Sequence, residues 1–159
     1  MKCNPTVKDV YDFIDSFAPF DAQCDWDNSG MIVGESLKPV SKIAVVLDIT
    51  PEAVIQAAEI NADLIVSHHP VIFRATKSFT DNDPAFLLAK HGVAAICAHT
   101  SLDVAQGGVN DVLAEVLGFK NVTQLTENGE AAIIRIAETE ETTGADLAKL
   151  CAEKLSTGV

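Results

Sequence analysis

Apolar residues recur along this chain in two rhythms. In "TVKDVYDFIDSFAPF" (residues 6–20), Val7, Val10, Tyr11, Ile14 and Phe17 fall at the spacing of one helical face, which predicts an amphipathic helix. From residue 42 onward, short continuous apolar runs alternate with helical patterns. The runs "KIAVVLD" (42–48), "DLIVS" (63–67) and "VAAICA" (93–98) have the length of buried strands. Between them, "PEAVIQAAEI" (51–60) and "PAFLLAKHG" (84–92) read as helices. Thr50 offers an N-cap and Pro51 a first-turn proline, while Gly92 suits a helix carboxyl end. Further on, "VNDVLAEVLG" (109–118) predicts a helix, "AAIIRIA" (131–137) a strand and "ETTGADLAKLCAEKL" (141–155) another helix. The segment "DAQCDWDNSGMIVG" (21–34), rich in Asp, Asn and Gly, reads as a structured loop leading into a short strand. The final "STGV" reads as a turn heading for one more strand.

Strand-helix alternation at this spacing predicts an α/β protein, layered α/β/α with a largely parallel sheet. With 159 residues and 48% hydrophobic content, the expectation is a single domain spanning 1–159. No apolar run reaches the length needed to span a bilayer, and the amino terminus lacks the apolar stretch of a signal peptide. Cys3, Cys24, Cys97 and Cys151 are scattered without a CxxC pair, so they read as reduced thiols and the compartment as the cytoplasm. The formal net charge of −12 argues against general nucleic-acid binding. A phosphorylated small molecule stays compatible if a bound metal ion reverses the local field.

Residues capable of chemistry gather where the predicted strands end. Asp48 closes the first run, His68 and His69 ("SHHP") follow the second, and His99 follows the third, with Asp103 four residues later. In open α/β sheets, ligands bind at the carboxyl ends of the strands. Adjacent side chains in extended backbone point to opposite sides, so His68 and His69 would rarely grip one ion together; they could serve two different ions, one each, with a carboxylate such as Asp103 bridging between them. Imidazole with carboxylate suits zinc, manganese or iron. By spacing alone, metal binding and a purely structural histidine pair are evenly weighted. His99 reads as a third ligand, a proton-transfer residue or a partner orienting Asp103. His91 sits at a predicted helix end and reads as structural. Asp48, two residues ahead of a helix start, reads as local. The "QGGVND" loop resembles an anion cradle, though Asn110 and Asp111 as simple helix-start residues are the plainer reading.

The segments "CDWDNSGMIVG", "LDITPEAVIQAA", "DLIVSHHPVIF" and "AHTSLDVAQGGVNDVLAEVLG", in this order, carry a resemblance. Over about residues 5–135 the chain resembles the amino-terminal half of the NGG-one-interacting-factor-three-like family, also called GTP cyclohydrolase type 2-like. That resemblance implies a dinuclear metal site in an α/β protein assembling as a toroidal hexamer. It implies that His68 and His69 each bind one of two divalent ions, that Asp103 is a further ligand, and that His99 lies beside the metals. The Trp26-Asp27-Asn28 loop matches too and is read as structural support.

The family completes its site with a histidine and a glutamate four residues apart in a carboxyl-terminal half, and no HxxxE occurs in these 159 residues. The reading is therefore of a truncated chain with an incomplete centre, inactive alone, whose exposed apolar surface favours self-association. For the intact protein it implies a metal-dependent hydrolase of a nucleotide or phosphorylated small molecule. The rival reading is a metal-binding regulatory or scaffold protein without turnover.

Overall fold

A computed structural model describes residues 4–127 and 130–158. The chain divides between Leu102 and Asp103 into two compact units.

In the first unit, β1 (Gly30–Val33), β2 (Ile43–Val46), β3 (Leu64–Ser67) and β4 (Ala94–Cys97) form one sheet in the order β1-β4-β3-β2. Strands β2, β3 and β4 run parallel, and β1 is antiparallel to β4. The largely parallel sheet matches the sequence expectation. Helices α1 (Val7–Asp15), α2 (Pro51–Glu59) and α3 (Pro84–His91) cover it, and α4 (Thr100–Val104) follows β4.

Side-chain alternation along the central strands explains the layering. Ile65 and Ala95 pack with Val54, Ala57, Leu87 and Leu88, which belong to α2 and α3. Leu64, Ala94 and Ile96 point the other way, into a cluster with Val7, Ile14 and Phe20. Both faces of β3 and β4 are therefore buried. Each full burial of a residue such as Leu64 or Ile65 contributes roughly 1.5–3 kcal/mol.

The caps fall where the sequence places them. Thr50 accepts from the Ala53 amide ahead of Pro51, and Gly92 ends α3 in the left-handed conformation at φ 65°. Helix α1 stops at Asp15, however, and Phe17 is exposed beyond it. The run "KIAVVLD" is an edge strand rather than a buried one. Ala44 and Val46 face the α2–α3 layer, but Ile43, Val45 and Leu47 stand exposed, Val45 to 79%. A continuous apolar run indicates strand length, not whether a helix covers both faces.

The second unit holds α5 (Val109–Leu117), the antiparallel hairpin β5 (Lys120–Glu127) and β6 (Glu130–Glu138), and α6 (Gly144–Leu155). Its anchor is Arg135, which pairs with Asp111 and donates to the Val104 and Ala105 carbonyls at 3.1 and 3.0 Å. Strand β5 and the short α4 are additions to the sequence reading. Val159, to which the expected terminal strand would run, lies outside the described residues. Among those residues no helix is long and apolar enough to cross a membrane, and Cys24, Cys97 and Cys151 are free thiols.

Gly34, immediately after β1, is the described glycine at which a side chain would meet its neighbours most closely. At its φ of 114° an added Cβ would lie 2.7 Å from Ala94 Cβ and 2.8 Å from Ala94 Cα. Gly92 shares the positive φ but has open space around it. Gly34→Ala is expected to cost roughly 2–4 kcal/mol, strain and overpacking together, whereas Gly92→Ala should cost only about 1 kcal/mol. Urea unfolding of both variants checks this. Equal losses would show that contact with Ala94 is not what requires glycine.

Candidate metal centre

The three parallel strands deliver their following residues to one rim. His68 and His69 follow β3, His99 lies two residues past β4, and Asp48 two residues past β2. One ring nitrogen from each of His68, His69 and His99 lies within 4.8 Å of one from each of the others. Ring centroids are 5.0 Å apart for His68–His69, 5.2 Å for His68–His99 and 5.6 Å for His69–His99.

This corrects the expectation that adjacent histidines diverge. Strict alternation holds only within a strand, and β3 ends at Ser67, after which the chain bends at residues 68 and 69. The bend is fixed by bonds on either side of it. Ser67 Oγ donates to the His69 carbonyl at 2.9 Å, and the His69 amide donates to the Leu47 carbonyl at 2.9 Å.

Each imidazole is oriented through Nδ1. His68 Nδ1 lies 3.0 Å from the Ala98 carbonyl, His69 Nδ1 2.7 Å from Asp48 Oδ1, and His99 Nδ1 2.8 Å from Asp27 Oδ1. A carbonyl oxygen only accepts, so the proton of His68 belongs on Nδ1. Ionised carboxylates dictate the same tautomer for His69 and His99. The lone pair of each neutral ring then sits on Nε2. Metal-binding histidines share this arrangement, donating their other N–H to a carboxylate or backbone carbonyl.

The two carboxylates differ in setting. Asp27 has no exposed side-chain surface and His99 little (17%), whereas Asp48 and His69 are about half exposed. Burial alone would raise the pKa of Asp27. Hydrogen bonds from the Thr100 hydroxyl, His99, and the Asn28 and Thr100 amides outweigh it and hold the carboxyl well below the usual range. Ser29 Oγ also donates to Asp27, at 2.9 Å. Asp27 is therefore an ionised clamp for His99. Asp48 holds His69 in a screened, wetter environment.

The nearby Cys97 thiol donates to the His68 carbonyl at 2.9 Å, and burial, with the Asp27 charge adding, pushes its pKa up to about 12. It stays a protonated thiol and makes a poor metal ligand.

Among the expected site residues, His68, His69 and His99 come together, with His99 as a third imidazole of the cluster. Asp103 belongs to the second unit, on α4, where its carbonyl accepts from Asn110 Nδ2 at 3.3 Å. His91 is in the last turn of α3, as expected of a structural residue. The anion at the "QGG" loop is the chain's own, since the Gly107 amide donates to the Asp111 carboxylate at 2.7 Å. Asp48 is more than a local residue, because its carboxylate reaches His69. The signal for Asp27 and Ser29 was the density of Asp, Asn and Ser in "DWDNSG", which marks a self-bonded loop but not the histidine it serves.

Known proteins share this chain organisation. A family profile described as Duf34/NIF3 (NGG1p interacting factor 3) matches residues 5–159. A GTP cyclohydrolase 1 type 2 homolog of Clostridium perfringens is 33% identical over 157 residues, covering 94% of this chain and 60% of its own length. The protein of the same name from Bacillus subtilis is 39% identical over 112 residues, covering 68% and 30%. Among solved structures, a hypothetical protein of Staphylococcus aureus matches with a TM-score of 0.83 at 27% identity, over 96% of this chain and 65% of its own. A Bacillus cereus protein related to NIF3 matches at 0.72 and 35% identity, over 79% and 36%. The chain thus spans 60% and 30% of the lengths of the two curated relatives. With a profile match running over nearly its whole length, the chain belongs to the Duf34/NIF3 family.

Proposed function

We propose that His68, His69 and His99 form a divalent-metal centre, and that the intact protein is a metal-dependent hydrolase of a nucleotide or other phosphorylated small molecule. One observation carries the reading: three imidazoles converge while each Nδ1 is engaged by a carbonyl or carboxylate. Three neutral imidazole donors suit zinc, manganese or iron. The chemistry supplied when such an ion is bound is Lewis-acid polarisation of a phosphoryl or ring-carbon centre and activation of water near neutral pH.

The residues of this chain divide the work. Asp27 keeps His99 in one tautomer and one orientation. Asp48, in a wetter setting, lets His69 adjust as ligands arrive. Asp103 would be a further carboxylate ligand, as the sequence resemblance implies, and a second ion held with its help would make the proposed centre dinuclear. The name of the relatives, GTP cyclohydrolase 1 type 2 homolog, supports a nucleotide. An acidic chain of net charge −12 repels a bare phosphate, so a cation at the rim would be what admits one. Homo-oligomerisation, in the family's hexameric form, is part of the proposal and is supported by the exposed Ile43, Val45 and Leu47 of the sheet edge.

Metal content per chain, measured after loading with zinc, manganese or iron and desalting, tests the centre. His68→Ala and His99→Ala are each expected to abolish tight binding, and Asp27→Asn to weaken it roughly 10–100-fold. Near two ions in the wild type, falling in Asp103→Ala, would support the dinuclear form; one ion, unchanged by that substitution, would confine the centre to the histidines. Histidine variants that hold metal as well as the wild type would sink the reading. Chelation should also lower the unfolding midpoint, because an ion bound only by the folded state stabilises it. Metal binding with no nucleotide turnover would favour the regulatory or scaffold role suggested by the family description as an interacting factor.

Val45→Lys tests the edge. It should shift the mass measured by light scattering toward the monomer if β2 is an association surface, and an unchanged mass would remove β2 from the interface.

A further inference from the structure

Two aromatic side chains flank the histidine cluster, and neither the core nor the ligand set uses them. Trp26 is 59% exposed and Phe73 44% exposed. Their ring centroids are 6.0 Å apart, and they stand 6.1 and 6.2 Å from the His99 ring, both edge-to-face with it. The loops that carry them are tied together. Asn28 Nδ2 donates to the Ile72 carbonyl at 2.6 Å, beside Phe73, and Asp27, next to Trp26, is the buried clamp of His99. Both anchors are immediate sequence neighbours of the aromatic residues. Trp26 therefore adjoins the residue that fixes His99, and the Phe73 loop is tied by Asn28 to the same segment.

Large aromatic surface left in water forfeits the burial it would gain in a core. Held on rigid loops beside polar donors, it is a pre-organised surface for a flat partner, which loses little freedom on docking. We propose that Trp26 and Phe73 form a ring-binding subsite. In it, a planar heteroaromatic group of the ligand stacks, while the polar or anionic part of the same molecule reaches His68, His69 and His99. The second half of this statement rests on the metal-centre reading; the stacking half does not. The subsite would make ligands that combine a flat ring with a phosphate the preferred class, above phosphorylated sugars without a ring.

Trp26 is the chain's single tryptophan, so fluorescence excited beyond the absorption of Tyr11 reports on this subsite alone. Three probes separate the contributions: guanosine 5′-monophosphate carries ring and phosphate, guanosine only the ring, and ribose 5-phosphate only the phosphate. Each is titrated into metal-loaded and chelator-treated protein. Guanosine and its monophosphate should quench Trp26 saturably and ribose 5-phosphate should not, with the monophosphate gaining affinity when metal is present.

By calorimetry, Trp26→Ala and Phe73→Ala should each weaken the monophosphate on the order of tenfold. They should leave ribose 5-phosphate unchanged, and Trp26→Phe should retain most of the affinity. Ribose 5-phosphate binding as tightly as the nucleotide, with no quenching by either ring-bearing probe, would overturn the subsite even if metal binds normally. Quenching by guanosine in a protein that holds no metal would support the subsite while defeating the metal reading. Fluorescence that changes with protein concentration but not with any probe would mean that a second copy covers the pair, and would also overturn it.

Discussion

The site depends on one carboxylate with no exposed surface. Placing an ionised Asp27 out of water costs several kcal/mol unless its oxygens are satisfied. They are satisfied by the Asn28 amide, Ser29 Oγ, His99 Nδ1, and the amide and hydroxyl of Thr100. These donors come from two segments about seventy residues apart, and the sheet register brings them together. Strand β1 pairs antiparallel with β4 with Gly30 opposite Cys97. Continued three residues past that pair, the register sets Asp27 opposite Thr100 (30 − 3 and 97 + 3). The single antiparallel strand of the sheet thus supplies the clamp for a histidine that follows a parallel one.

Parallel pairing supplies the rest. Val46, Ser67 and Cys97 lie in one row across β2, β3 and β4. Asp48, His69 and His99 are each two residues beyond that row (46 + 2, 67 + 2, 97 + 2). In-register parallel strands send equivalent positions to the same rim, which is why ligand sites favour the carboxyl ends of such sheets. A shift of one residue in either pairing would separate His69 from Asp48 or His99 from His69. The buried alternation of Leu64, Ile65 and Val66 resists that shift, because slipping by one would send core side chains to the wrong layer.

Much of this was legible in the sequence, for identifiable reasons. The strands β3 and β4 and the caps at Thr50 and Gly92 depend on local rules that operate within a few residues. The exposure of Val45 depends on which elements lie over β2, which no local pattern records. Strand β5 escaped notice because its inward position at Gln124 is polar, satisfied by the Val104 and Ala132 carbonyls at 2.7 and 2.9 Å. The strand-end location of His68, His69 and His99 followed from alternation of strands and helices. Their convergence required the bend after Ser67. The pairings of Asp48 with His69 and Asp27 with His99 span 21 and 72 residues, and only the register reveals them.

The two carboxylates also bear on the proposed order of binding at the rim. Asp27 and Asp48 place carboxylates behind His99 and His69, in a chain whose net charge is already −12. Such a field favours a cation at the histidine cluster and disfavours an anion approaching alone. On the proposed reading, a phosphate-bearing ligand would therefore follow the cation or be held by some contact indifferent to charge. The uncharged faces of Trp26 and Phe73 offer such a contact, about 6 Å from the nearest imidazole. Stacking depends little on the sign of the local field, so it can hold the ring of a ligand while the anionic end meets the metal. On the proposed reading, electrostatics would admit the cation first, and the aromatic pair would then let an acidic protein select an anionic ligand by its ring.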